Sequence, residues 1–144
     1  MHKTKLALVG AGTIGQRHLQ AISQVEEAEL TAIVDNQAQA ESISKEMNVP
    51  FFNTTEEMLH ALKPEGVIVC TPTEIHLEPV LSSLNAGAHV LVEKPITSNM
   101  EEAQEIIKIS QKVSREVLVG HHRRYYSTVH KTREMINDGV IGKL

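Results

Sequence analysis

A chain of 144 residues with 41% hydrophobic and 22% charged residues has the size and composition of one globular domain with one core. Its formal net charge is −4, with acids and bases scattered, which leaves no electrostatic footing for nucleic acid or an anionic membrane surface. The single cysteine, Cys70, excludes an internal disulfide, and no stretch is long and apolar enough to span a bilayer.

The start, Met1-His2-Lys3-Thr4-Lys5, runs straight into a strand-like segment and lacks the apolar stretch of a signal peptide, so a cytoplasmic protein is expected. Short apolar runs follow at Leu6 to Val9, Leu30 to Val34, Val67 to Cys70, Val90 to Val92 and Val117 to Val119, with a weak one at Phe51-Phe52. They are continuous and rich in β-branched residues, the pattern of parallel strands covered on both faces. Cys70, at the end of its run, reads as a small buried hydrophobe rather than a nucleophile.

Helical patterns lie between the runs. Ile14, Ala21, Ile22 and Val25 share one helical face; so do Leu77, Val80, Leu81 and Leu84, and again Ala103, Ile106 and Ile107. Thr54 with Glu57, and Ser98 with Glu101, have capping-box spacing, and Thr71-Pro72-Thr73-Glu74 combines an N-cap, a proline and a capping glutamate. A last helix is expected from about Ser127 to Asp138. Strict alternation of this kind predicts an α/β fold with a doubly wound parallel sheet of six main strands and helices on both faces.

Gly10-Ala11-Gly12-Thr13-Ile14-Gly15 lies between the first strand and the first helix, the context that makes a glycine motif a dinucleotide fingerprint. Gly10 allows the turn, Gly12 lets the backbone approach a pyrophosphate, and Gly15 lets the helix pack on the sheet. The helix start, with Thr13 and Ile14, presents unpaired N–H groups to the phosphates. Asp35 ends the second strand 20 residues after Gly15. A carboxylate there can accept from both adenosine ribose hydroxyls and repels a 2′-phosphate; Asn36 and Gln37 follow it rather than a cation, so NAD is expected over NADP. A solvated strand-end aspartate is the plainer reading.

Ligands of this fold sit outside the carboxyl ends of the strands, so Thr71-Pro72 borders the same site, unless Thr71 only caps a helix. His76 faces the nicotinamide or is a surface histidine. Glu93-Lys94-Pro95 ends the fifth strand at that edge. Lys94, tuned by partial burial, can handle a proton on a substrate oxygen, or it can simply ion-pair with Glu93. In Gly120-His121-His122-Arg123-Arg124-Tyr125, the absence of a cysteine or carboxylate cluster argues against metal. His122 and Arg123 then form a polar lip over the cofactor, or the arginines tie the last helix to the sheet.

Together with His18, these segments resemble the Gfo/Idh/MocA oxidoreductases, the relatives of glucose-fructose oxidoreductase and inositol dehydrogenase, over the whole chain and in order. The resemblance implies an NAD- or NADP-dependent enzyme acting on hydroxyl groups of sugars, inositols and related small molecules. It implies that Lys94 is catalytic, that Glu93 lies near the nicotinamide, and that the Arg123-Arg124 segment runs along the cofactor edge. His121 and His122 stand where many relatives carry an aromatic and an asparagine, which leaves the substrate class open. Relatives continue into an α+β domain that supplies an aspartate, a histidine, most of the substrate pocket and usually the oligomer interface. Residues 1–125 are thus expected to form the dinucleotide-binding domain and residues 126–144 the final helix and the start of the second domain. Such a chain is expected to bind NAD, to be inactive alone, to expose apolar surface near its last helix, and to be a homo-oligomer in full-length form. A non-catalytic NAD(H)-sensing module is the alternative.

Overall fold

The structure, a computed structural model, describes residues 2–142. Its elements are β1 (Thr4–Val9), α1 (Thr13–Ile22), β2 (Ala28–Val34), α2 (Ala38–Glu46), β3 (Phe51–Phe52) and α3 (Thr55–Leu62), followed by β4 (Gly66–Val69), α4 (Leu77–Asn85), β5 (His89–Val92), α5 (Met100–Val113), β6 (Val117–Val119) and α6 (Ser127–Asn137). The six strands form one parallel sheet in the order β3-β2-β1-β4-β5-β6. This is the doubly wound Rossmann arrangement. The order reverses between β1 and β4, and crossovers leaving on opposite sides open a crevice at the strands' carboxyl ends.

The strand runs are continuously apolar because each face of the sheet has its own helical cover. On one face Val9, Val34, Val67 and Val69 pack with Met58 of α3, Val80 and Leu84 of α4, and Ile106 of α5. On the other, Leu8, Ile33 and Ile68 pack with Leu19 and Ile22 of α1 and Ala40 of α2.

Four helix details differ from the expectation. The buried stripe of α1 is Gly15, Leu19 and Ile22; Ile14 is exposed, and Val25 lies beyond the helix end, because α1 stops at Ile22. In α5 only Ile106 is buried, and Ile107 is exposed on the solvent side. Asn99, not Ser98, caps α5, its Oδ1 accepting the Glu102 N–H at 2.9 Å. Thr54 does cap α3, accepting the Glu57 N–H at 3.2 Å. After β4 a single 3-10 turn, Thr73–Ile75, intervenes and α4 starts only at Leu77, so Thr71 caps no α-helix.

No residue of α6 is buried, and Tyr125, Tyr126, Val129 and Val140 lie exposed around it, the apolar surface expected there. Of the segment assigned to the start of a second domain, residues 143 and 144 lie outside the described residues. Among the described residues no helix is long and apolar enough to cross a membrane.

Candidate dinucleotide site

The carboxyl ends of β1, β2, β4, β5 and β6 gather every segment that the sequence singled out, and the three glycines there do different things. Gly10 has φ +91°, and a Cβ on it would sit 2.8 Å from the backbone of Cys70 and Thr71, so the first turn lies directly against the end of β4. At Gly15 a Cβ would overlap the Gly10 carbonyl oxygen, which presses α1 onto that turn. Gly12 is extended (φ −65°, ψ −169°), and a Cβ there would meet nothing within 4 Å. Neither strain nor crowding in the chain itself requires glycine at this position; the space above it is open. Gly12 is also the N-cap of α1, it offers no side-chain cap, and the first turn, with exposed Thr13 and Ile14, holds no acid. The helix pole and its N–H groups are left for an external anion.

Asp35 faces this turn. Its Oδ2 accepts the Ala11 N–H at 2.7 Å and its Oδ1 the Gln37 N–H at 2.9 Å. The carboxylate is oriented rather than freely solvated, and each oxygen keeps lone-pair capacity for a hydroxyl donor. On the other side of the first turn, at the end of β4, the Thr71 hydroxyl is buried with no hydrogen-bond partner among the described residues, while Pro72 is exposed. Orphaned buried hydroxyls are uncommon, and one beside an open cradle fits a ligand atom.

His76 is not a surface residue, and both of its ring nitrogens face backbone carbonyls. It is 1% exposed; its Nε2 lies 2.8 Å from the Thr71 carbonyl, and its Nδ1 lies 3.1 Å from both the Pro95 and Ile96 carbonyls. With both ring nitrogens against backbone, it ties the turn after β4 to the loop after β5. The periodicity of α4 did not carry this signal, because His76 precedes the helix proper.

Glu93 and Lys94 follow β5, and they do not pair. Glu93 Oε1 meets His18 Nε2 of α1 at 2.9 Å, with the His18 and Glu93 side chains only 22% and 12% exposed. Its Oε2 accepts the Lys94 N–H at 3.2 Å. A Cβ on Gly120 would come within 2.8 Å of the carboxylate, so Glu93 rests on the end of β6. Lys94 is exposed rather than partly buried, and no ion pair among the described residues includes it. Sequence reasoning placed no role on His18 from the residues themselves; the available signal was its spacing, three residues past Gly15 and so on the side of α1 that faces the sheet.

Burial pushes the Glu93 carboxyl up, but the His18 hydrogen bond, the Lys94 N–H and the His18 and His122 charges together hold it below its ordinary 4.5. The nearby Cys70 thiol is pushed up to about 12 by burial and by the Glu93 charge, consistent with a half-buried, unreactive cysteine. A carboxyl held low adds stability that is complete above its ordinary value and is lost as pH falls through the folded value. The stability gap between the native chain and Glu93→Gln in urea unfolding is therefore expected to shrink between about pH 5 and pH 3. A gap unchanged over that window would mean that the carboxylate charge contributes nothing.

His122 and Arg123 lie in an exposed 3-10 turn (His122–Tyr125) after β6, with the His122 ring 5.9 Å from that of Tyr126. Neither Arg123 nor Arg124 makes an ion pair or a side-chain hydrogen bond among the described residues, so they do not tie α6 to the sheet.

A glycine cradle with open space, an oriented carboxylate at the second strand, an orphaned hydroxyl and an unpaired lysine on one sheet edge define the dinucleotide-binding domain of an oxidoreductase. The family model described as an oxidoreductase family with an NAD-binding Rossmann fold matches residues 4–121, and the chain belongs to this Gfo/Idh/MocA family. It is 30% identical over 143 residues to D-glucoside 3-dehydrogenase from Escherichia coli, covering 97% of this chain and 41% of that protein. It superimposes with a TM-score of 0.91 and 26% identity on scyllo-inositol dehydrogenase from Lactobacillus casei with bound NAD(H) and scyllo-inositol, covering 98% of this chain and 43% of that one. An oxidoreductase from Desulfitobacterium hafniense described as NADPH-dependent gives a TM-score of 0.92 at 26% identity, covering 99% of this chain and 42% of that one. The chain thus spans about two-fifths of the length of the relatives it matches.

Proposed function

We propose that this chain is the cofactor-binding part of an NAD-dependent dehydrogenase that moves a hydride between nicotinamide and a hydroxyl or carbonyl group of a sugar, an inositol or a similar small polyol. One observation carries the reading: the Lys94 ammonium is unpaired on the same sheet edge as the open cradle at Gly12 and the oriented Asp35. A module that only senses NAD(H) has no use for a free lysine there. The names of the relatives, a glucoside dehydrogenase and an inositol dehydrogenase, support the substrate class.

When bound, the nicotinamide supplies or accepts the hydride. Gly10, Gly12, Thr13, Ile14 and Gly15 receive the pyrophosphate, and Asp35 takes the ribose hydroxyls. Thr71, Pro72, His122 and Arg123 line the cofactor edge. Glu93 borders the nicotinamide end, and Lys94 holds a proton at the substrate oxygen. His76, committed to backbone carbonyls, holds the loops rather than the cofactor. The exposed apolar residues around α6 favour a homo-oligomer of the full-length enzyme.

Calorimetric titration with NAD, NADH, NADP and NADPH tests this. Binding of the NAD forms at least about tenfold tighter than the NADP forms is expected, because the Asp35 carboxylate stands where a 2′-phosphate would go. Asp35→Ser should narrow that preference. An equal or tighter NADP response would reassign the cofactor, and the absence of any dinucleotide binding would remove the proposed function.

A further inference from the structure

We infer that His18 is a positioning residue whose task is to keep the Glu93 carboxylate away from the Lys94 ammonium. This rests on the proposed role of Lys94 and deepens it.

A glutamate followed directly by a lysine at an open strand end has an obvious way to satisfy both charges, by pairing with each other. Here they do not. Both Glu93 oxygens are occupied elsewhere: Oε1 by His18 Nε2 at 2.9 Å and Oε2 by the Lys94 backbone N–H at 3.2 Å. The carboxylate is also seated on Gly120, where any larger residue would collide with it. The His18–Glu93 pair is the most enclosed ion pair among the described residues; the others join side chains that are 44–81% exposed. Enclosure weakens competition from water and salt, so the histidine is a strong rival for the carboxylate. The other imidazole facing Glu93 is that of His122, on the exposed turn after β6.

The pair also joins two working parts. His18 stands on α1, whose N-terminus carries the open glycine cradle, and Glu93 immediately precedes Lys94. Seating the carboxylate on α1 therefore fixes the Lys94 backbone relative to the cradle and leaves the Lys94 side chain free. Remove the imidazole, and the carboxylate loses its anchor with an ammonium one residue away.

The test reads Lys94 directly. Native chain, His18→Ala, His18→Gln and the double variant His18→Ala/Glu93→Gln are treated briefly with acetic anhydride, and acetylation of Lys94 is measured by mass spectrometry against exposed Lys108. An ammonium recruited into an ion pair acylates more slowly. In His18→Ala the Lys94/Lys108 ratio is expected to fall by up to about fivefold, the size of an exposed ion pair. His18→Gln, which retains a donor for Glu93, should restore much of the ratio. The double variant, which has no carboxylate to capture Lys94, should restore it fully. A ratio unchanged in His18→Ala, or a loss persisting in the double variant, overturns the inference. NADH binding by the native chain, followed by its own fluorescence, separates the two readings. Loss of NADH binding defeats the proposed function whatever Lys94 does, whereas intact binding with unchanged Lys94 reactivity defeats the role of His18 alone.

Discussion

Gly15→Ala is expected to cost the domain several kcal/mol, more than about 3, because the added methyl overlaps the Gly10 carbonyl oxygen and lies 3.3 Å from Leu8 Cδ2. Neither neighbour can move cheaply. The Gly10 turn is held against the backbone of Cys70 and Thr71, and Leu8 is fully buried in the core under α1. Relief requires lifting α1 off the sheet, which would uncover Leu19 and Ile22. Against a total stability of about 5–15 kcal/mol, that loss should shift the urea midpoint far enough to see at once. Gly12→Ala supplies the contrast. Its methyl meets nothing, and its extended backbone accepts an alanine, so stability should stay within about 0.5 kcal/mol. Gly12→Val should then lower dinucleotide affinity without lowering stability. If Gly15→Ala unfolds at the native midpoint, α1 does not sit where described.

Lys94→Ala is expected to remove turnover while sparing the cofactor. In a full-length version that carries the second domain, assayed with a polyol or sugar, kcat should fall by about 10²–10⁴, the usual worth of a positioned proton-handling group. The dissociation constant for NADH should stay within about threefold, since the groups proposed to hold the cofactor lie elsewhere and an exposed side chain contributes little. Lys94→Arg should not rescue turnover, because a guanidinium stays protonated and cannot pass its proton on. Stability should be unaffected, as Lys94 is exposed and makes no ion pair among the described residues. Equal losses in turnover and cofactor affinity would make Lys94 a binding residue only.

Most of the architecture was legible because its signals are local. Six apolar runs in strict alternation with amphipathic segments dictate a parallel sheet, and the observed strands coincide with those runs to within two residues at every end. The glycine turn and Asp35 were legible for the same reason, since a strand, a turn and a helix in succession put them on one edge. What was not legible depends on partners far away in sequence. Glu93 and His18 are 75 residues apart, and His76 reaches carbonyls 19 and 20 residues on, so no window along the chain displays either link. Spacing offers only neighbours, so it leaves a Glu93–Lys94 ion pair open beside the proton-handling role and divides His76 between a cofactor and solvent. The exposure of Ile107 has a related cause. Helical periodicity says which residues share a face, but not how wide a strip the sheet beneath can cover, and α5 buries one residue alone.

The place of β1 in the sheet has a consequence for how this protein is made. The first of the six strands in chain order is an interior strand, bonded to β2 on one side and to β4 on the other. Its second neighbour begins at Gly66, so the growing chain carries β1 with one side unsatisfied until synthesis has passed that residue. During that interval the backbone groups of Leu6 to Val9 are available to any other extended segment, including the same strand on a neighbouring nascent chain. An interior strand made early thus carries an edge strand's exposure until β4 covers it.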